Sequence, residues 1–430
     1  QMAIVDVDHA VAWDWHSTAQ YLARLAEAGT AMNVAVLAGH LPMRVSCVGY
    51  ENRAASPDEL AAMQQLADRA LADGAIGVST GLMYAPNAYA DLDELVALGE
   101  VVASHGAIFS MHLRDYADGL IEAVTEGIAV AQRTGCRVQL SHLSVVGRRN
   151  FGKVGEALRL MDVACAEGLD VGVDTHTYLA GSTNLTQLLP RWSLEGGPDA
   201  LRERLGEPRT RDRIAAELVT DRSLGWDEVL IAGLDDGDEA RVVGRSIAEL
   251  ATAQDLEPSE TFLRLAERFG SSATILAFGR SPDVLCEVLR HPRTVIGSDG
   301  LGLDPVGASG HGRPHPRSYG CYPRLLGQYV REEAVLTLEQ AVHKSTYLAA
   351  QRFAIPDRGV IASGRVADLV VFDPARITDE SSYADPQRYP TGIRAVVVSG
   401  RVAVEDGAQT QVRAGAVLRR ADADRQAAQA

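Results

Sequence analysis

The feature that most constrains the fold is a repeated alternation of short apolar runs with amphipathic helical patterns. Residues 107–111, 137–141 and 169–173 each contain two or more apolar side chains, and helical patterns fill 119–134 and 154–167 between them. Strands that are separated by helices pair in parallel, because each helix carries the chain back across the sheet. The alternation therefore predicts an α/β fold, with helices covering a parallel sheet.

The ends of these predicted strands favour one architecture. Each strand ends in a polar residue or a glycine that leads into a loop. Polar residues gathered at the carboxyl ends of parallel strands are typical of the active-site face of a (β/α)8 TIM-type barrel. An open doubly wound sheet is the alternative, but it requires a G-x-G-x-x-G turn after its first strand, and the sequence has none. We therefore predict a barrel.

The alternation breaks in two regions, which predicts further domains. The first region, within 191–270, is rich in charged residues and includes a helix predicted over 199–218. The second region, within 357–415, contains strands predicted at 359–364, 367–372 and 393–400 between glycine turns. We expect residues 1–190 and 271–356 to form the two parts of the catalytic barrel, 191–270 an inserted subdomain, 357–415 a small C-terminal β-sandwich, and 416–430 a surface tail.

Composition restricts the classes of partner. The formal net charge is -16 and no basic stretch offsets it, so we expect no nucleic-acid partner. There is no apolar run of about 18 residues, so we expect no membrane span. The five cysteines are odd in number and widely scattered, which argues against a disulfide framework. With no signal-peptide pattern at the start, we expect a cytoplasmic protein that acts on a small molecule.

Three side chains at strand ends carry the predicted chemistry. His112 and His142 follow two consecutive predicted strands, and Asp299 follows the strand at 294–298. These ends meet at one mouth of a parallel barrel, so residues far apart in sequence can share one ion. Two neutral imidazoles suit zinc, and a nearby carboxylate can take a proton from a metal-bound water. The pattern predicts a metal-dependent hydrolase.

A stiff, proline-containing loop follows Asp299 in the sequence. Gly312-Arg-Pro-His-Pro-Arg317 contains two prolines, which restrict where its arginines can point. An arginine near the metal could bind a substrate carboxylate through two parallel hydrogen bonds. The alternative for either arginine is a solvated side chain or a structural salt bridge. His176 also lies in a loop after a predicted strand, so we include it among the candidate pocket residues.

A set of motifs resembles one known family. In chain order they are Trp13-Asp-Trp15, Asn33-Val-Ala-Val-Leu-Ala-Gly-His40, Gly77-Val-Ser-Thr-Gly-Leu82 with Tyr84, Met111-His-Leu-Arg114, Gln139-Leu-Ser-His-Leu143, Ala180-Gly-Ser-Thr183, Ile296-Gly-Ser-Asp-Gly300, Pro314-His-Pro-Arg-Ser-Tyr-Gly320 and Gly364-Arg-Val-Ala-Asp-Leu-Val-Val-Phe-Asp373. From about Trp13 to Gly407 the chain resembles the N-acyl-D-amino-acid deacylases (D-aminoacylases) of the amidohydrolase superfamily.

The resemblance implies a barrel with a small β-sandwich and a zinc-dependent hydrolysis of N-acyl-D-amino acids. It implies that His112 and His142 are zinc ligands and that Asp299 is the catalytic acid and base. It also implies that Arg317 binds the α-carboxylate of the substrate. Tyr84 and Ser182 match motif positions near the substrate.

The chain departs from the family pattern in three places. The family's first strand carries His-x-His and its second a Gly-Asn-Cys-Gly motif with a zinc-binding cysteine. The sequence contains neither, so we expect the N-terminal barrel strands to be missing. Ser144 stands where the family commonly has a lysine, and His176 stands where it has a tyrosine. We expect the last two differences to affect substrate preference.

Two other functions are alternatives for this sequence. Cyclic-amide hydrolases of the hydantoinase or dihydropyrimidinase type often bridge two metals with a carboxylated lysine at a strand end. The only lysines are Lys153 and Lys344, and neither ends a predicted barrel strand. The second alternative is a catalytically silent chain that lacks part of its metal site, because two histidines and one aspartate alone should bind zinc weakly.

Overall fold

A computed structural model describes residues 13–220, 223–234, 239–355 and 357–420 of the 430-residue chain. The strands are β1 (Leu37–Gly39), β2 (Gly77–Gly81), β3 (Ile108–His112), β4 (Arg137–Leu140), β5 (Val171–Thr175), β6 (Gly181–Asn184), β7 (Val229–Gly233), β8 (Thr274–Ala277), β9 (Thr294–Ile296), β10 (Leu369–Phe372), β11 (Ile393–Val398), β12 (Arg401–Glu405) and β13 (Ala408–Gln409).

The α-helices are α1 (Thr18–Ala28), α2 (His40–Cys47), α3 (Pro57–Ala72), α4 (Leu92–Ser104), α5 (Leu120–Thr134), α6 (Val154–Ala166), α7 (Gly197–Gly206), α8 (Pro208–Thr220), α9 (Glu239–Val242), α10 (Ile247–Gln254), α11 (Pro258–Phe269), α12 (Pro282–Arg290), α13 (Arg317–Arg324), α14 (Leu338–Ser345) and α15 (Tyr347–Arg352). Helix α13 continues as a π-helix over Leu325–Glu332. None of the described helices combines the length and apolar character that crossing a membrane requires.

The largest sheet holds six strands in the order β1-β2-β3-β4-β5-β9, and every neighbouring pair is parallel. This confirms the α/β fold with a parallel sheet. Among the described residues β1 and β9 have one strand neighbour each, so closure into an eight-stranded barrel stays a prediction. Because all six strands run the same way, their carboxyl ends lie along one edge, and that edge carries the candidate site.

The helices of this unit form where the sequence supplies starting signals. Ser56 accepts a hydrogen bond from the Glu59 backbone N–H, the Glu59 side chain accepts the backbone N–H of Ser56, and Pro57 occupies the first turn of α3. Apolar side chains such as Phe109 and Val138 lie between the helices and the sheet. At Gly77 a Cβ atom would lie 2.2 Å from the backbone oxygen of Ile108. Strands β2 and β3 therefore need glycine there to pack as closely as they do.

A second unit interrupts the alternation between β5 and β9. Strands β6, β8 and β7 form an antiparallel sheet in that order, and helices α7–α11 pack around a separate apolar core. The predicted single helix over 199–218 is wrong: α7 ends at Gly206 and α8 begins at Pro208. Proline disfavours helical backbone in the residue before it, so one helix cannot run through this point. The domain boundaries given above stay predictions.

The third sheet is antiparallel, in the order β10-β11-β12-β13. The strand predicted at 359–364 is absent, and Ile361 in this segment is 91% exposed, with no neighbouring strand to pair with among the described residues. Most of the predicted tail lies outside the described residues. Its first residues return to the parallel unit, where Leu418 N–H donates to the backbone oxygen of Val34.

Candidate active site

The three predicted catalytic side chains lie together at the carboxyl edge of the parallel sheet. His112 is the last residue of β3, His142 follows β4 by two residues, and Asp299 follows β9 by three. Both His142 and Asp299 have left-handed backbone conformations, with φ of 37° and 49°. Such angles are uncommon outside glycine and cost energy. The surrounding structure must therefore hold these two residues in tight turns, which direct their side chains into the site.

The two histidines face one another. Nδ1 of His112 lies 2.9 Å from Nε2 of His142, and the buried Nε2 of His112 has no hydrogen-bond partner among the described residues. Burial, and then the neighbouring His142, lowers the pKa of His112 well below its ordinary value. Burial, followed by Arg280 and Arg317, lowers the pKa of His142 to about 3. Both rings are therefore neutral, and their lone pairs are available to a metal.

This pair fits zinc in chemistry and spacing. Zinc–nitrogen bonds are about 2.0–2.1 Å long, so two tetrahedral ligands have nitrogens about 3.3 Å apart, close to the observed separation. No group of three or more His, Cys, Asp and Glu side chains that could hold a metal occurs in the part of the chain that the structure describes. The spacing of His112 and His142 thus fits two ligands of a zinc site, and the described residues offer no third.

Asp174 holds His142 in place, a role that the sequence analysis missed. Its Oδ1 accepts the backbone N–H of His142 at 2.7 Å, and its Oδ2 accepts Nε2–H of Gln139 at 2.8 Å. Burial raises the pKa of Asp174 to about 6, although both hydrogen bonds oppose the shift. An aspartate inside the otherwise apolar strand β5 was the available signal, because buried carboxylates are rare without partners.

Arg317 and Asp299 form an ion pair across the mouth of the site. Nη1 of Arg317 lies 2.7 Å from Oδ2 of Asp299; the arginine side chain is 10% exposed and the aspartate 40%. His315 fixes the loop, because its Nε2 lies 2.9 Å from the backbone oxygen of Ala180 and its Nδ1 accepts the backbone N–H of Arg317 at 3.0 Å. The guanidinium group of Arg317 and the carboxylate of Asp299, the candidate base, are therefore in direct contact.

His176 lies behind this ion pair and is fully buried. Its Nε2 is 3.3 Å from Nη1 of Arg317 and 2.6 Å from Nη1 of Arg280. Arg280 follows β8 in the second unit and was not among the predicted site residues. Two further arginines, Arg114 and Arg313, lie in different places relative to the cavity. Arg114 lines the cavity but pairs with Glu126 at 2.8 Å, and Arg313 does not line it.

The remaining predicted residues line the same cavity, which has a volume of about 430 Å³. The ring of Tyr84 lies 4.8 Å from that of His112, and its hydroxyl is 3.1 Å from Oγ1 of Thr183. Ser182 lies on β6. Of the seven predicted site residues, six line this cavity, and His176 supports its wall. Another cavity of about 230 Å³, centred on the second unit, holds none of them.

The lysines argue against a carboxylated bridging residue in the described site. Nζ of Lys153 donates to the backbone oxygen of Asp118 at 2.7 Å, and Lys344 lies in α14, where its Nζ donates to the backbone oxygen of His291. Neither lysine lines the cavity that contains the histidine pair.

A parallel sheet that carries two half-buried histidines and an aspartate at its carboxyl edge is typical of the amidohydrolase class. A sequence model of the Amidohydrolase family matches residues 267–404. D-aminoacylase from Alcaligenes xylosoxydans xylosoxydans is 33% identical over 374 residues, which are 87% of this chain and 67% of the relative. The N-acyl-D-aspartate deacylase of the same organism is 36% identical over 360 residues, 84% of this chain and 63% of the relative. The chain belongs to the D-aminoacylase family.

Solved structures agree with this assignment. A crystal structure of D-aminoacylase has a TM-score of 0.78 at 32% identity and covers 94% of this chain and 75% of its own. The N-acyl-D-glutamate deacylase from Bordetella bronchiseptica, complexed with zinc and a phosphonate mimic of the tetrahedral intermediate, has a TM-score of 0.77 at 31% identity, with the same coverage. The chain spans 63–67% of the length of the curated relatives named above. The predicted family is confirmed.

Proposed function

We propose that this chain is a zinc-dependent deacylase that hydrolyses the amide bond of N-acyl-D-amino acids to a D-amino acid and a carboxylate. The observation that carries the proposal is the pair of half-buried, neutral histidines 2.9 Å apart beside the Asp299–Arg317 ion pair. The relatives named as deacylases of N-acyl-D-aspartate and N-acyl-D-glutamate support the substrate class. The parallel sheet fits most of a (β/α)8 barrel, and the C-terminal sheet fits one layer of a β-sandwich.

In this proposal His112 and His142 hold the zinc, which when bound supplies Lewis-acid polarisation of the amide carbonyl. The Asp299 carboxylate takes the proton of the attacking water and returns it to the leaving amine nitrogen. Arg317 binds the α-carboxylate of the substrate and so fixes the amide relative to Asp299, which it already contacts. Tyr84 and Ser182 shape the cavity wall, and His176 supports Arg317.

The first experiment is a turnover assay with a panel of N-acetyl-D- and N-acetyl-L-amino acids, with zinc added and retained zinc measured. We expect turnover of D-forms alone, and a loss of about 10²- to 10⁴-fold in Asp299→Asn, because a general base contributes that much. Asp304→Asn is the matched control, since this exposed aspartate lies in the same loop and does not line the cavity. Turnover of both enantiomers, or an active Asp299→Asn, would contradict the proposal.

The alternatives make different predictions in this assay. A catalytically silent chain gives no turnover and retains less than one zinc per chain. A cyclic-amide hydrolase turns over hydantoins instead. We also propose a cytoplasmic location, which the free state of all five cysteines supports.

A further inference from the structure

The hydrogen-bonding environment of His176 is unusual because donors surround both ring nitrogens. Nδ1 faces the backbone N–H of Tyr178 at 3.2 Å, whereas Nε2 faces Nη1 of Arg280 at 2.6 Å and Nη1 of Arg317 at 3.3 Å. A neutral imidazole has one acceptor nitrogen and one N–H. Burial, and then the two arginines, lowers the pKa of His176 well below its ordinary value, so the ring is neutral. One nitrogen must therefore direct a hydrogen at another donor.

The fixed backbone decides which nitrogen carries the hydrogen. The buried Tyr178 N–H has Nδ1 of His176 as its only acceptor in the described part of the chain, and leaving it unpaired would be costly. Nδ1 therefore accepts, and Nε2–H points at the two guanidinium groups. Three donor groups then converge, and among the described side chains only Arg317 has a carboxylate acceptor, Asp299. Such a cluster of donors is the arrangement of an anion-binding site.

The charges of the side chains around His176 also indicate an anion-binding site. Arg317 pairs with Asp299, but Arg280 has no carboxylate within ion-pair distance among the described residues, and its buried Nε has no hydrogen-bond partner. Burial, and then Arg317, lowers the pKa of Arg280 to about 10, so the side chain stays charged at neutral pH. Two guanidinium groups thus lie together among the described residues, and only one of them, that of Arg317, is paired with a carboxylate. A buried cation without a counter-ion is expensive, so the site is built for one more negative charge.

We propose that Arg280, Arg317 and Nε2–H of His176 form a carboxylate cradle that binds the α-carboxylate of the substrate, with Arg280 as its main cation. The identity of the ligand rests on the proposed function. The α-carboxylate is the appropriate group because only the nitrogen and Cα separate it from the scissile acyl carbon. It must therefore lie near the histidine pair, and Arg280 lines the same cavity as His112 and His142.

The cradle also assigns a role to the second unit. Arg280 follows β8, whereas His176 follows β5 and Arg317 begins α13. A carboxylate held by all three therefore touches the antiparallel sheet and the parallel sheet at once. The positioning of the substrate then depends on the second unit as well as on the strand ends.

The test is calorimetric binding to the zinc-loaded chain of N-methanesulfonyl-D-alanine, whose sulfonamide resists hydrolysis, and of its primary carboxamide. We expect Arg280→Gln to weaken binding of the acid by about 10- to 100-fold, because charge-assisted hydrogen bonds are lost, and to leave binding of the carboxamide unchanged. Arg280→Lys keeps the charge and should lie between. Arg191→Gln is the control, because Arg191 lines the same cavity without contacting His176.

Each outcome decides the proposal. Equal losses for acid and carboxamide would mean that Arg280 has only a structural role, and no loss for the acid would mean that Arg317 acts without it. Either result, or a wild-type chain that does not prefer the acid, overturns the cradle. The proposed reaction is judged separately by turnover of N-acetyl-D-alanine, where Arg280→Gln should raise KM more than it lowers kcat.

Discussion

Replacing Arg44 with methionine would remove one member of an ion pair that is fully shielded from solvent. Arg44 donates from Nη1 to Oε2 of Glu94, and both side chains are 0% exposed. Oε1 of Glu94 lies 2.7 Å from Nε2 of His40, whose Nδ1 lies 2.9 Å from Oγ1 of Thr80. The network joins α2, α4 and β2. Burial raises the pKa of Glu94, but hydrogen bonds from His40 and Arg44 outweigh it and lower the pKa overall.

The expected cost follows from this burial. Removing one partner of a buried pair leaves the other charge uncompensated, which costs about 3–5 kcal/mol. That is a large share of the roughly 5–15 kcal/mol by which a domain is stable. The double variant Arg44→Met/Glu94→Gln leaves no buried charge, so we expect it to be more stable than Arg44→Met alone. The two substitutions should therefore be strongly non-additive.

The assay is urea unfolding, followed by circular dichroism, of the wild type, both single variants and the double variant. Arg133→Met is the matched control, because Arg133 pairs at 2.9 Å with Asp93, next to Glu94 on α4, but the two side chains are 48% and 72% exposed. Exposed pairs contribute about 0–1 kcal/mol. The reasoning is refuted if Arg44→Met costs no more than this control, or if the double variant loses the sum of the single losses.

Three further predictions can be tested by urea unfolding or by measuring retained zinc. His112→Ala should retain less than half the zinc of the wild type after gel filtration. His291→Ala, at a histidine that does not line the cavity, should retain as much zinc as the wild type, and equal retention by both variants would remove His112 from the site. Gly77→Ala should cost about 1–3 kcal/mol through the clash with Ile108, while Gly152→Ala, with nothing within 4 Å, should stay within about 0.5 kcal/mol. Burial lowers the pKa of Lys344 to about 8. Between that pH and about 10.5 the unfolded chain binds a proton that the folded chain does not, so stability should rise with pH, by up to about 3 kcal/mol, and Lys344→Met should abolish the rise.

Much of the site was predictable because strand ends are local signals. A polar residue that ends an apolar run can be read from the sequence, and parallel pairing then brings His112, His142 and Asp299 to one edge. Parallel pairing itself follows from the helix between each pair of strands. The proline-stiffened loop indicated Arg313 and Arg317 alike, because proline restricts the backbone locally, and only the family resemblance implied Arg317.

The residues that were missed depend on long-range packing. Arg280 meets His176 across 104 positions of sequence, through an antiparallel strand whose place beside the cavity no local pattern indicates. Asp174 accepts the backbone N–H of His142, and a contact to a backbone group cannot be predicted from the pattern of side chains. The helix predicted over 199–218 failed for a local reason, because its apolar spacing was given more weight than Pro208. Closure of the predicted barrel stays a prediction, because in the described residues β1 and β9 have one strand neighbour each.

The left-handed backbone at His142 and Asp299 creates a conflict between the stability of the fold and the proposed activity. A non-glycine residue in this region costs about 1 kcal/mol or more, and glycine or asparagine adopts it more readily. Substitutions such as His142→Asn or Asp299→Gly would therefore relieve strain while removing the side chains proposed to act. A library of variants selected for heat resistance alone should accumulate changes at these two positions early. Selection for thermal stability would then remove the proposed site first, unless activity is screened in the same round.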